Sequence, residues 1–259
     1  MNLNEKRIVV TGAASGIGQQ SAKILKERGA TVIGFDRNEP LDYVDEYIQV
    51  DLMDPTSIEK AVAKFSGGAD ALCNIAGLPP TAPVLSVVTV NFVALRRFTE
   101  LMIDKLNDGA SIVNMASLAG LGWPEAVGDI KRFIESADFD NVESLCSEFN
   151  VDQDRCYFFS KEALIIWNMQ NWNSWRGRGI RVNAVSPGPV DTPILQDFLD
   201  TLGERAEEDM KIMGRAGTPE DIAKVVAFLC SDDSAWVNGA NIPADGGMNA
   251  HVMSQVHGF

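Results

Sequence analysis

The chain opens on a short apolar run, Arg7–Thr11, which breaks into Gly12-Ala13-Ala14-Ser15-Gly16-Ile17-Gly18 and continues as a helical pattern over 15–28, closed by Gly29. A strand that turns through glycines into a helix is the first half of a crossover, and a crossover helix is what brings the next strand in parallel. The pattern then repeats. Residues 31–35, 47–50, 71–75, 111–116, 181–185 and 240–243 read as strands, and 55–65, 84–106, 157–176 and 219–230 as helices. Strand and helix alternate throughout, so the expectation is an α/β chain built as a doubly wound parallel sheet. No linker, repeat or low-complexity block interrupts the 259 residues, and 1–259 reads as one domain.

Charge and composition remove several classes. A formal net charge of −14 with no Lys/Arg run argues against a nucleic-acid partner. No apolar stretch approaches the roughly 20 residues that span a bilayer, so no membrane partner is expected. The polar start, Met1-Asn2-Leu3-Asn4-Glu5, enters a strand and does not read as a signal peptide. Cys73, Cys146, Cys156 and Cys230 are scattered, and the two histidines, His251 and His257, sit in the tail. There is no metal-ligand spacing, so no metal is expected, and the thiols suit a reduced cytoplasmic protein.

A pyrophosphate needs backbone N–H donors at a helix N-terminus with no Cβ in the way. Gly12 can turn the chain out of the strand, Gly16 admits the phosphates, and Gly18 lets the helix approach the sheet. The spacing is G-x-x-x-G-x-G, and an ordinary strand-to-helix turn is the plain alternative. Asp36 ends the second strand, where a carboxylate can accept the ribose hydroxyls and repel a 2′-phosphate, favouring NAD over NADP. Arg37 beside it could instead clamp that phosphate. Asp51 ends the third strand and either meets the adenine amino group or caps the next helix.

Tyr157 and Lys161 lie four apart on a helix and share a face. The lysine's charge should hold the phenol below its usual value of about 10, turning a poor base into a usable one. Ser117, forty positions earlier, can hydrogen-bond the substrate oxygen where charge develops. Together they can move a proton as hydride moves to or from a nicotinamide.

These motifs resemble the short-chain dehydrogenase/reductase family over the whole chain. The turn TGAASGIG is similar to its cofactor motif, and Asn74-Ile75-Ala76-Gly77 to its N-N-A-G segment with Ile75 in place of the second Asn. Val90-Asn91 falls at the family's catalytic Asn, and Ser186-Pro187-Gly188-Pro189-Val190-Asp191-Thr192 at its nicotinamide-side loop. The resemblance implies a Rossmann-type fold and a catalytic set of Asn91, Ser117, Tyr157 and Lys161, with Asn91 binding a water that links Lys161 to solvent. It implies cofactor contacts at Gly12, Ser15, Gly16, Ile17, Gly18, Asp36, Arg37, Asp51, Leu52, Asn74, Ala76, Gly77, Tyr157, Lys161, Pro187, Gly188, Val190 and Thr192.

One departure is the long gap between Ser117 and Tyr157. Ile130, Phe133, Ile134 and Ala137 fall at helical spacing, as do Val142, Leu145, Cys146 and Phe149, with Asp140-Asn141 able to turn and cap between them. The stretch 122–155 therefore reads as an inserted helical hairpin. In this the chain resembles two subgroups, the coniferyl-alcohol-type dehydrogenases and the 3α-hydroxysteroid dehydrogenase/carbonyl reductases. The implied substrate is a bulky hydrophobic alcohol, aryl allylic in the first case and steroidal in the second. Residues 192–216, with the stripe Ile194, Leu195, Phe198, Leu199 and Leu202, suit a lid, or else simply pack on the body. The hairpin should cover the helix of Tyr157, which family oligomers commonly use, leaving a homodimer through 219–230 and 240–243 that the tail 248–259 could reach; a hairpin folded outward would instead allow the family's tetramer. A redox sensor on the same fold would have no need of the proton path.

Overall fold

Seven strands stand side by side in the computed structural model: β1 (Arg7–Thr11), β2 (Thr31–Asp36), β3 (Glu46–Gln49), β4 (Ala69–Asn74), β5 (Leu106–Met115), β6 (Arg181–Pro187) and β7 (Asn241–Ala244). Their order is β3-β2-β1-β4-β5-β6-β7, every adjacent pair parallel. The structure describes residues 1–40, 42–203 and 210–259. Strand order reverses between β1 and β4, and in such sheets the crevice beyond the strand carboxyl ends at that point is where ligands bind.

The inner strands are buried on both faces, which is why they read as unbroken apolar runs. Successive side chains still alternate: Ile8 and Val10 pack into one layer, Val9 into the other. The first layer holds Ile24 and Leu25 of α1 (Gly16–Glu27) and Ile222 and Val226 of a late helix, Pro219–Cys230. The second holds α2 (Pro55–Lys64) and the long helical segment after β4. That late helix starts on a full capping box, Thr218 Oγ1 accepting from Asp221 N while Asp221 accepts from Thr218 N.

The helix expected over 84–106 is not uniform. It runs as α3 (Val84–Val88), a π-turn over Thr89–Ala94, α4 (Leu95–Met102) and a tight last turn, and β5 begins at Leu106 rather than 111. The π-turn contains Asn91, and such bulges gather at functional positions.

The inserted stretch folds as α5 (Trp123–Ser136) and α6 (Val142–Glu148), packed on α7 (Cys156–Gln170). Phe133 meets Phe92, Phe149 and Phe159 with ring centroids 5.6, 6.2 and 4.9 Å away. Asn141 does not cap α6 through its side chain as expected. Asp138 Oδ1 takes the N–H groups of Asp140 and Asn141, and the Asn141 amide turns back to Asp138 N and Ser136 O. With the hairpin in place α7 is buried on nearly every side. It also ends at Gln170, short of the expected 176.

Further helices after β6 include α8 (Leu195–Leu202), α9 (Pro219–Cys230) and α10 (Met248–His257). The tail that could reach a partner is the last of these, and its Met248, Val252, Met253 and Val256 border the crevice. Part of the expected lid, 204–209 and the Leu202 side chain, lies outside the described residues. Among the described residues no helix is long and apolar enough to cross a membrane.

Candidate active site

A cavity of about 890 Å³ opens at the switch point, along the carboxyl ends of the strands. Every sequence-predicted site residue lines it except Asn74 and Asn91. Its floor is the glycine turn. Gly12 has φ +74°, and a Cβ there would stand 2.8 Å from Ala76 Cα; one on Gly18 would stand 1.9 Å from Gly12 O. Only bare backbone fits this cradle. Thr11 Oγ1 accepts from Ile75 N and Ala76 N, pinning the β4 loop to the end of β1. Ser15 makes no capping hydrogen bond and the first turn of α1 carries no acid, so the amides and positive end of that helix are open to an anion. These features fit a dinucleotide pyrophosphate.

At the far end, Asp36 accepts from Ala14 N at 3.0 Å and Asn38 N at 2.9 Å, which fixes its carboxylate at the rim. Asp51 caps no helix. It accepts from Met53 N, while Asp54 caps α2 through Thr56 N, leaving Asp51 on the cavity wall. Arg37 borders both this cavity and a smaller one that it shares with Lys60 and Lys64.

The two asparagines lie behind the wall and support it. Asn74 Nδ2 donates to Thr99 Oγ1 and Asn114 Oδ1, tying β4 to α4 and β5. Asn91 accepts from Leu78 N at 2.7 Å and donates to Leu78 O at 3.1 Å. A Cβ on Gly77 would lie 3.1 Å from Asn91 Oδ1 and 3.8 Å from Lys161 Nζ, so the amide sits close to the lysine with its side chain already engaged.

Ser117 and Tyr157 both line the cavity, and Ser117 Oγ accepts from Ala119 N at 3.2 Å. Lys161 Nζ donates to Met115 O at 2.8 Å and lies 5.6 Å from the Tyr157 ring centroid. The expected lowering of the phenol by the lysine is not what the fold produces. Burial pushes Tyr157 up to about 12, opposed only by Ser117, and burial pushes Lys161 down to about 8. Desolvation disfavours both charged forms, and the ammonium is aimed at a backbone carbonyl rather than the phenol.

Beyond the hydroxyls the walls are apolar: Leu121, Phe158, Ile194, Leu195, Phe198 and, from α10, Val252 and Met253. Phe198 packs edge-on against Tyr157 at 5.0 Å. The sequence reading did not anticipate the part played by α10, whose apolar residues do not form a clean stripe. Glu162, the one acidic residue of α7, also lines the cavity; an acid beside Lys161 on a mostly buried helix is the signal the sequence offers. Among the described residues, no group of three or more His, Cys, Asp or Glu side chains converges as metal ligands do.

Comparison with known proteins agrees with this geometry. A family model described as short chain dehydrogenase matches residues 6–127, and one described as enoyl-(acyl carrier protein) reductase matches 131–249. The chain is 41% identical over 250 residues to a coniferyl-alcohol dehydrogenase of Pseudomonas sp. strain HR199, covering 96% of this chain and 98% of that one. It is 29% identical over 255 residues to a 3-alpha-hydroxysteroid dehydrogenase/carbonyl reductase of Comamonas testosteroni, covering 94% and 96%. Among solved structures, the 3-alpha-hydroxysteroid dehydrogenase of Pseudomonas sp. B-0831 in complex with NADH superposes with a TM-score of 0.81 at 29% identity, covering 96% and 99%.

Proposed function

This chain belongs to the short-chain dehydrogenase/reductase family and is an oxidoreductase, and we propose that it interconverts a bulky hydrophobic alcohol of the aryl allylic, coniferyl type and its carbonyl compound, using NAD. The observation that carries the substrate side is the apolar chamber beside the Tyr157 and Ser117 hydroxyls. The 41% relative named for coniferyl alcohol supports the same reading. A second reading, a 3α-hydroxysteroid, is favoured by the relatives of that name. Turnover of coniferyl alcohol, a 3α-hydroxysteroid and a simple ketone, followed at the NADH absorbance band, tests both; failure with all three overturns the substrate reading.

A dinucleotide bound here supplies the hydride acceptor or donor. The glycine turn and the first turn of α1 would hold its pyrophosphate, and Asp36 its adenosine ribose. Ser117 Oγ holds the substrate oxygen, and Tyr157 Oη moves the proton. The fold keeps that phenol protonated, so it is ready to donate to a carbonyl oxygen; alcohol oxidation needs the proton to leave first. Lys161, brought down to about 8, exchanges protons near neutrality and stands on the path by which it leaves. Asn91 acts as a positioning residue, holding the Leu78 loop against the lysine.

Cofactor choice follows Asp36. The native protein should prefer NAD in kcat/KM, and Asp36→Ala should move the NAD/NADP ratio toward NADP by about tenfold or more as Arg37 pairs with the 2′-phosphate. Equal kcat/KM for both cofactors in the native protein overturns the assignment.

The assembly proposed is a two-fold dimer in the reducing cytoplasm, a setting that suits four free thiols. With α5 and α6 covering α7, the α9–β7 side remains, where β7 is the sheet edge and Trp236 is 98% exposed. Light scattering at micromolar concentration should give twice the chain mass, and a stable tetramer joined through α7 overturns it.

A further inference from the structure

Glu162 follows the catalytic lysine in sequence and has a side chain only 5% exposed. Its carboxylate is held by Arg155 from two turns earlier: Nη1 donates to Oε1 at 3.0 Å and Nη2 donates to Oε2. The guanidinium lies over the Phe159 ring, 5.5 Å from its centroid. The backbone opposite makes room for the pair. A Cβ on Gly122 would stand 3.0 Å from Glu162 Oε1, so the bare glycine at the start of the insertion leaves space for this carboxylate.

Burying an ion pair is expensive, and a well-packed apolar pair of the same size is commonly as stable or more so. Fold stability is therefore a weak reason for a carboxylate here. Location offers a better one. Tyr157, Phe158, Lys161 and Glu162 all line the same cavity, as do Ser117 and Leu121. Glu162 is five residues along α7 from Tyr157, about 7.5 Å of helix axis. That is comparable to the reach of a three-carbon side chain and a benzene ring.

The hydrogen-bonding capacity of the pair is not used up. A carboxylate accepts at about four lone-pair sites and a guanidinium donates through five N–H groups, and each spends two on the other. Glu162 therefore keeps acceptor capacity where it lines the cavity, with Arg155 behind it outside the lining. A ring carrying a hydroxyl presents the complement.

We propose that Glu162, held in place by Arg155, is a specificity-determining residue for the far end of the substrate, where a phenolic hydroxyl donates to its carboxylate. This rests on the aryl-alcohol reading of the same cavity and adds a required feature of the ring.

The test is calorimetric binding to the full chain with NAD present, using guaiacol, which has the hydroxyl and the ether, and veratrole, which has two ethers and no donor. Native protein should bind guaiacol about tenfold more tightly or better, as expected for a hydrogen bond to a charged group. In Glu162→Gln the preference should fall to about threefold or less, with thermal unfolding used to verify the fold. Equal binding of the two ligands by native protein overturns the proposal whether or not the variant folds, and so does a preference that survives intact in a folded Glu162→Gln. Binding is read without turnover, so the two readings separate. A native protein that prefers guaiacol but oxidises no aryl allylic alcohol keeps this site and loses the proposed reaction; one that oxidises coniferyl alcohol with no such preference loses this site alone.

Discussion

Tyr157→Phe is expected to lower kcat by about a thousandfold, in the range lost with an acid/base group, while cofactor binding survives. The ring still packs against Phe198, and Tyr157 belongs to the apolar cluster around α7, so the fold loses little. What disappears is the phenol hydroxyl, the proton donor proposed for the substrate oxygen. Single-turnover kinetics with a fluorescence titration of NADH separates the two effects. Retention of more than about a tenth of the native kcat would show that another group carries the proton.

Lys161→Met should abolish turnover and stabilise the protein at pH 7. The unfolded amine keeps its proton up to 10.5, the folded one only to about 8. Between those values the unfolded chain binds more protons, so stability rises with pH across that window. Below it both states are charged and the burial cost is fully present; above 10.5 it has gone. That displacement corresponds to about 3 kcal/mol, against about 1 kcal/mol for the lost hydrogen bond to Met115 O. The variant should therefore gain about 2 kcal/mol at pH 7, shrinking as the pH rises from about 8 to 10.5. Denaturant unfolding at both ends of the window checks it, and a variant less stable than the native chain at pH 7 sinks the argument.

The periodicities that located the strands were reliable because a doubly covered sheet buries both faces of β1, β2 and β6, leaving little else for their residues to do. The glycine turn was equally legible, since Gly12 and Gly18 occupy places no other residue fits. Side-chain direction was not. Asn74 and Asn91 fall at family positions, yet their amides are engaged by Thr99, Asn114 and Leu78, partners distant in sequence or on another loop. The π-turn around Asn91 escaped notice because one widened turn scarcely disturbs the spacing of the apolar residues. The phenol's behaviour was misjudged for a related reason: helical spacing puts Lys161 near Tyr157 but says nothing of how much water is removed from either.

The hairpin of α5 and α6 turns what could have been a surface between molecules into an interior within one. A helix clasped across a subunit boundary loosens whenever the subunits part, so its order obeys mass action and falters on dilution. Here the helix bearing the proton donor is clasped by its own polypeptide, through the aromatic contacts of Phe133. The packing behind Tyr157 is therefore built from one polypeptide's own side chains, and its order follows the folding of that chain.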